Sequence, residues 1–232
     1  MHAAHQGVGV SRIAHSQSPE RRPIAPLVID VFSKSAEQGL SRRLIERMIS
    51  FYPDANWLLQ THLDCRPHEI HPLDESDCVV ILGGRESFSP ALPAQFERYS
   101  QRGGALVALH AGGQTSPEWK AFACKTLGAR LEDATPASEK SSLRIAAGRH
   151  YHPVVQKVSA WEGDNNRTAV LDSRAELFLE GIRGAEKQPL AWGVDAGWAR
   201  TFCTLLGTPQ DFQQQSFFRL IWNALHWTMG MT

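Results

Sequence analysis

The 232-residue sequence has no excess of either charge, because 24 lysines and arginines balance 24 aspartates and glutamates. A chain without net charge has no long-range field that would steer it to nucleic acid or to an anionic membrane. It also lacks any apolar run near the roughly 20 residues that a helix needs to cross a bilayer. We therefore expect neither nucleic acid nor a membrane as a partner.

Cysteine is scarce and follows no motif. None of the four cysteines forms a Cys-x-x-Cys pair, and residues 1–25 are polar, without the continuous apolar segment of a signal peptide. Together these absences indicate reduced thiols in a cytoplasmic protein. Cys124 and Cys203 lie within apolar patterns, which predicts two inert thiols in the core.

Several catalytic motifs are absent as well. The chain contains no Gly-x-Ser-x-Gly or Gly-x-Cys-x-Gly elbow, no phosphate-binding loop and no dinucleotide-binding fingerprint. The sequence therefore gives no support to catalysis by a serine or cysteine nucleophile, and it predicts no cofactor.

Strands and helices alternate within a single predicted domain. Residues 1–25 are expected to form a flexible arm, and residues 26–232 are long enough for one α/β core. Apolar runs predict strands at 26–32, 56–63, 78–84 and 105–109, and amphipathic segments predict helices at 36–51, 93–101 and 119–127. This order predicts a doubly wound, mainly parallel sheet with helices on both faces.

The second half of the chain predicts an antiparallel extension of that sheet. Short strand candidates lie at 129–131, 142–147, 169–171 and 176–179. Residues 189–194 and 199–206 flank the turn Asp195-Ala196-Gly197 and predict a β-hairpin. A helix over 213–229 closes the chain. Trp198, next to this turn, is the tryptophan expected to be exposed, where an aromatic ring can stack on a sugar.

Residues 103–118, GGALVALHAGGQTSPE, are the most informative stretch. An apolar strand reaches His110, turns on Gly112 and Gly113, and enters a helix with Ser116 as its cap and Pro117 at its first position. Such a turn places one side chain at the carboxyl edge of the sheet, beside the N–H groups of the helix start. Imidazole carries protons well at neutral pH, so His110 is the predicted catalytic residue. The alternative is a histidine packed at a strand end.

Two other places offer polar groups to the same site. Gly84 and Arg85 follow a predicted strand, and Arg85 either clamps an anion or faces solvent. His150 and His152 are two positions apart and face the same side of an extended segment. With His110 they could bind zinc, although no carboxylate or cysteine is tied to them by a known spacing. No metal is therefore predicted, and His152 is expected in the pocket.

The order of several motifs resembles the ThuA-like (trehalose-utilisation) family. RGGALVALHAGG, LGARLE, HPVV, PLAW, ARTFCTLLG and NALHW carry this resemblance over roughly residues 27–229. It implies a flavodoxin-like fold related to class I glutamine amidotransferases, without their catalytic cysteine, and a link to sugar utilisation. The chain departs from the family pattern at Thr208, where the family has histidine, and at Asp164-Asn165, where it has an acidic pair.

Two functions follow as hypotheses. In the first, His110 is the general acid or base acting on a sugar or keto-sugar, without amidotransferase activity. Its expected substrate-binding residues are Gly84, Arg85, Gly112, Gly113, His152, Asp164 and Thr208. In the second, the domain is catalytically silent and binds or senses a small polyol. An assembly of identical subunits, with the aromatic residues at an interface, is a further alternative.

Overall fold

The computed structural model describes residues 26–53, 55–64, 73–83, 88–113, 116–132, 141–163 and 167–231. The predicted N-terminal arm lies outside these ranges. Within them, none of the helices is long and apolar enough to cross a membrane.

In the described part of the first half, the chain forms four parallel strands and three α-helices. The strands are β1 (Leu27–Ser33), β2 (Trp57–Leu63), β3 (Cys78–Leu82) and β4 (Ala105–Leu109). The helices are α1 (Gln38–Phe51), α2 (Ala91–Gln101) and α3 (Pro117–Thr126). All residues of β3 and β4 are buried, as expected for parallel strands covered on both faces.

The residues of the second half that the structure describes form seven further strands and the last helix. They are β5 (Ala129–Leu131), β6 (Ser141–Ile145), β7 (Trp161–Gly163), β8 (Ala169–Leu171), β9 (Ala175–Arg183), β10 (Glu186–Asp195), β11 (Arg200–Thr204) and α4 (Gln215–Thr228).

Nine of these strands form one mixed sheet in the order β2-β1-β3-β4-β11-β10-β9-β6-β7, and β5 pairs with β8 separately. In this spatial order, the first five strands (β2, β1, β3, β4 and β11) run parallel to one another. The other four (β10, β9, β6 and β7) extend the sheet in antiparallel pairs. The predicted mainly parallel sheet with an antiparallel extension is confirmed. The predicted hairpin is also present, but its second strand, β11, pairs parallel with β4 as well.

Burial on the helices follows their apolar pattern. In α1, Leu40, Leu44 and Met48 face the core. The terminal helix α4 packs against β4 and β11, and its buried residues include Phe217, Leu220, Ile221, Leu225 and Trp227. The Cys203 thiol is buried as predicted, but the prediction for Cys124 is wrong because its side chain is exposed. Helix α3 turns Trp119, Phe122 and Ala123 inward, which leaves position 124 on the outer side.

Candidate functional site

His110 lies directly after β4 with its backbone in the left-handed region, at φ +53°. L-residues other than glycine rarely adopt this region, and histidine is among those that tolerate it best. Such conformations persist where the surrounding structure enforces them, and they concentrate at functional sites. The His110 side chain is half-buried, so part of its surface remains in contact with solvent. We call His110 and the turn that follows it the elbow.

Two glycines on neighbouring strands enclose the elbow. Gly83 follows β3, and a Cβ atom placed there would lie 2.5 Å from the His110 carbonyl oxygen. Gly207 follows β11 with φ +138°, and its Cβ would lie 2.9 Å from the Cβ of His110. Any side chain at either position would collide with the elbow. Both glycines therefore permit the close approach that holds residue 110 in place.

Hydrogen bonds connect the elbow to the same two strand ends. The His110 N–H donates to the Leu206 carbonyl at 2.8 Å, and the Gly83 N–H donates to the Leu109 carbonyl at 2.8 Å. The chain then makes a 3₁₀ turn over Ala111–Gly113. Trp119 donates from its indole N–H to the Ala111 carbonyl at 3.0 Å, which joins the turn to α3. The elbow is thus fixed on both sides and from the following helix.

The predicted cap of α3 is confirmed. The Ser116 hydroxyl accepts a hydrogen bond from the Trp119 N–H at 3.2 Å, and Pro117 occupies the first helical position. The prediction that a strand, a glycine turn and a capped helix follow one another here is therefore correct.

Arg167 places a cation beside the elbow. Its guanidinium donates to the Gly112 carbonyl. A Cβ atom at position 112 would lie 2.7 Å from the Cδ of Arg167, so the glycine makes room for the arginine stem. Nothing in the sequence predicts this role for Arg167, because an isolated arginine in a loop carries no motif that places it near residue 110.

Thr208 and Asp211 brace the loop that follows β11. One oxygen of the Asp211 carboxylate accepts the N–H of Gly207, the N–H of Thr208 and the Thr208 hydroxyl, each at 2.9 Å. In return, the Asp211 N–H donates to the Thr208 hydroxyl at 3.3 Å. Asp211 is only 1% exposed. Asp211 is not among the predicted site residues, although Thr208-Pro209-Gln210-Asp211 matches the reciprocal pattern of a capping box.

His152 lies in a different part of the sheet. Its ring stacks on Phe178 of β9 at 4.4 Å between centroids and meets the edge of Trp227 at 5.5 Å. Three strand spacings of about 4.8 Å each separate β9 from β4, so the structure does not bring His152 to His110. Burial lowers the pKa of His152, against the opposing charge of Glu176. The Nδ1 atom accepts the Val154 N–H at 3.2 Å, so the ring caps a turn.

The remaining predicted residues divide between the elbow and places that the structure does not describe. Gly112 and Gly113 belong to the turn after His110, and Thr208 follows Gly207, which lies against His110. His150 is exposed. Gly84, Arg85 and Asp164 lie outside the described residues. Within the described ranges no group of three or more histidine, cysteine, aspartate or glutamate side chains is arranged to hold a metal ion.

A second polar cluster lies at the same carboxyl edge, where β1 and β2 end. Asp64, with φ +49°, accepts hydrogen bonds from the Ser35 N–H at 3.2 Å and from the Ser35 hydroxyl. Its carboxylate also pairs with the Lys34 ammonium at 2.8 Å. These contacts lower the pKa of Asp64 from its usual value of 3.8 to about 2, and the contact with Lys34 makes the largest contribution.

Replacing Lys34 with methionine should raise the pKa of Asp64 towards 3.8, and the Ser35 bonds should keep it below that value. Because the folded-state pKa lies below the unfolded one, ionised Asp64 stabilises the folded protein above about pH 4, and this contribution disappears as the pH falls to about 2. An NMR titration of the Asp64 carboxyl carbon measures the change. Arg102→Met, which removes the partner of Asp74, is the control and should leave Asp64 unaffected. An identical Asp64 titration in Lys34→Met would contradict the assignment.

Solved structures identify the class of this fold. A protein described as ThuA-like from Bacteroides uniformis is 16% identical, with a TM-score of 0.63 over 91% of this chain and 95% of its own. A cytoplasmic protein from Salmonella typhimurium is 15% identical, with a TM-score of 0.63 over 87% and 98%. A glutamine amidotransferase from Thermotoga maritima is 11% identical, with a TM-score of 0.58 over 88% and 98%. The chain thus has the glutamine amidotransferase-like, flavodoxin-type fold.

The family follows from the sequence itself. The family model described as ThuA, trehalose utilisation, matches residues 29–228. The chain belongs to the ThuA family, which confirms the resemblance found in its motifs. Among curated proteins, none matches this sequence.

Proposed function

We propose that the elbow binds a sugar or keto-sugar and that His110 acts on it as a general acid or base. The observation that carries this proposal is the left-handed backbone of His110, enclosed by Gly83 and Gly207 at the carboxyl edge of the sheet. Ligands of open α/β sheets bind at this edge. The description of the family as trehalose utilisation supports a sugar as the ligand.

The chemistry of the residues around the elbow suits this role. Imidazole exchanges a proton near neutral pH, and the Arg167 guanidinium beside Gly112 can stabilise negative charge on a sugar oxygen. Gly112 and Gly113 follow His110 in the turn, Thr208 follows Gly207, which lies against His110, and we assign Gly84, Arg85 and Asp164 to the same site. His152 is not included, because its ring packs on Phe178.

We propose no amidotransferase activity, because the elbow position that would carry the nucleophile holds His110. Cys78 and Cys203 lie within strands, and burial raises the pKa of each thiol, which disfavours the reactive thiolate. We also propose that the reaction needs no cofactor or metal, and metal analysis of the purified protein tests this. A cytoplasmic location is in keeping with the Salmonella structure described as cytoplasmic.

A catalytically silent polyol-binding module is the second candidate. It is favoured by Thr208, whose hydroxyl both donates to Asp211 and accepts from it. A hydroxyl engaged in this way supports the loop and is less available to a substrate. The family pattern has histidine at this position, so the chain lacks a second imidazole there.

His110→Asn is the variant that separates these functions. Asparagine tolerates the left-handed backbone, so the melting temperature should stay close to that of the wild type. Loss of proton transfer should reduce turnover by at least about 100-fold. NMR detection of products from a panel of sugars and keto-sugars measures turnover, and thermal shift on the same panel measures binding.

Each outcome of this experiment decides between the proposals. Turnover that survives in His110→Asn would show that His110 is not the acid or base. A sugar that stabilises the wild type without forming any product would support the silent module, since a ligand at 100 times its Kd adds about 2.7 kcal/mol of stability. If no sugar is bound or converted, the first candidate is wrong, and the second is wrong as well if small polyols cause no thermal shift.

A further inference from the structure

We propose that Trp198 is the platform of a second binding site, for a neutral saccharide. The site lies at the amino ends of the parallel strands, whereas His110 lies at their carboxyl ends. Trp198 is in the turn between β10 and β11, and 70% of its surface is exposed. It lines two neighbouring cavities of about 570 Å³ and 440 Å³. An indole that borders a hollow on each side offers a flat apolar surface on which a sugar ring can stack.

The turn that carries this indole is held firmly. The Asp195 carboxylate accepts the Gly197 N–H and the Arg200 side chain, both at 2.8 Å. The Ala196 N–H donates to the Ala199 carbonyl at 3.0 Å. Arg200 also donates to the Trp227 carbonyl at 3.1 Å, which ties the turn to the end of α4. A platform fixed in this way loses little conformational entropy when a ligand stacks on it.

Polar groups line the larger cavity beside the indole. Glu97 and Gln101 come from α2, and Lys125 and Thr126 from the end of α3. Gln101 donates to the Glu97 carboxylate at 3.2 Å, and the Lys125 ammonium lies 3.7 Å from the same oxygen. Donors and acceptors at the rim of an aromatic surface match a sugar, which has apolar ring faces and hydroxyls around its edge.

The charges at this site favour a neutral ligand over an anionic one. Arg174, on the cavity wall, is bound to the Asp172 carboxylate and to the carbonyls of Lys125 and Cys124. Arg200, which lines the smaller cavity, is bound to Asp195. Lys125 faces Glu97. Each cation at the two cavities is thus paired with a carboxylate, so the site has no net positive charge that would attract a phosphate or carboxylate.

This site is independent of the elbow. The smaller cavity is lined by Leu27 and Ala105, which begin β1 and β4, and by Arg200, which begins β11. These residues define the amino edge of the parallel strands, whereas His110 follows the carboxyl end of β4. Either site can therefore fail experimentally without affecting the other.

Titration calorimetry with maltose, cellobiose and trehalose tests the site, with Trp198→Ala as the variant. We expect at least one of these disaccharides to bind the wild type with a Kd of about 1 mM, and binding to weaken at least about tenfold in Trp198→Ala. Tyr151→Ala is the matched control, since Tyr151 is 94% exposed and lines neither cavity. It should bind as the wild type does.

Two further measurements sharpen the test. Glucose 6-phosphate should bind no more tightly than the neutral disaccharides, because the cations at the site are already paired. Circular dichroism should show that Trp198→Ala remains folded, since the side chain is mostly exposed.

Any of three binding results would overturn the proposal. They are unchanged binding in Trp198→Ala, no binding of any of the three disaccharides, and tighter binding of glucose 6-phosphate. Light scattering separates a saccharide site from a subunit interface. A change of oligomeric state in Trp198→Ala without any effect of saccharide would assign the exposed indole to an interface, and would also overturn the proposal.

Discussion

Asp211→Ala is expected to lower the free energy of unfolding by about 4 kcal/mol. The substitution removes one buried acceptor and leaves three donors without their partner, namely the N–H groups of Gly207 and Thr208 and the Thr208 hydroxyl. Each buried donor that loses its acceptor costs about 1–3 kcal/mol. Chemical denaturation monitored by circular dichroism measures the loss. Because Gly207 contacts His110, the variant should also bind any elbow ligand less tightly.

Asp195→Ala is the matched control for this prediction. Asp195 also accepts a backbone N–H, from Gly197, and pairs with an arginine, but it is exposed. Water can replace its bonds, so the expected loss is below about 1 kcal/mol. Equal losses in the two variants would contradict the view that burial of the Asp211 bonds makes them important.

Gly83→Ala is expected to destabilise the protein by about 3 kcal/mol, because the new methyl group overpacks a rigid site. The methyl group would lie 2.5 Å from the His110 carbonyl oxygen and 3.2 Å from that of Leu109. Both neighbours are backbone atoms at the ends of buried strands, so neither can move aside as a flexible side chain would. A protein of this size should melt about 6–12 °C lower, which differential scanning calorimetry detects.

Gly39→Ala is the matched control, and we expect it to raise the melting temperature in the same assay. Gly39 is exposed in α1, and a Cβ there meets no atom within 4 Å. Alanine in a helix is favoured over glycine by about 0.5–1 kcal/mol, so this variant should be slightly more stable than the wild type. A small or absent effect of Gly83→Ala would mean that the approach of the elbow to β3 is looser than the structure describes.

The sequence was sufficient for most of the local structure. The buried runs at 78–84 and 105–109 predicted β3 and β4, because a strand covered on both faces needs a continuous apolar segment. The glycines after His110, with Ser116 and Pro117, predicted the elbow and the helix after it. These signals are local, and each depends on residues only a few positions apart.

The contacts that complete the site depend on residues far apart in the chain. No local pattern shows that the loop after β11 braces His110, or that Arg167 reaches Gly112. For the same reason, the sequence did not show that His152 lies away from the elbow. The spacing predicted that His150 and His152 lie on one side of an extended segment, but it does not reveal the order of strands in the sheet. His152 packs on β9, and β9 lies three strands away from β4, which carries the elbow.

The insertion of β11 next to β4 also determines when the elbow can form during synthesis. Much of the second half of the chain is made between these two neighbouring strands, so β4 first emerges from the ribosome with its β11 side unpaired. Long-range pairing of this kind is slow, because a large loop must close before the contact forms. Leu206 and Gly207, which hold His110, follow β11 and arrive later still. The histidine therefore cannot reach its observed geometry until the loop after β11 has been made.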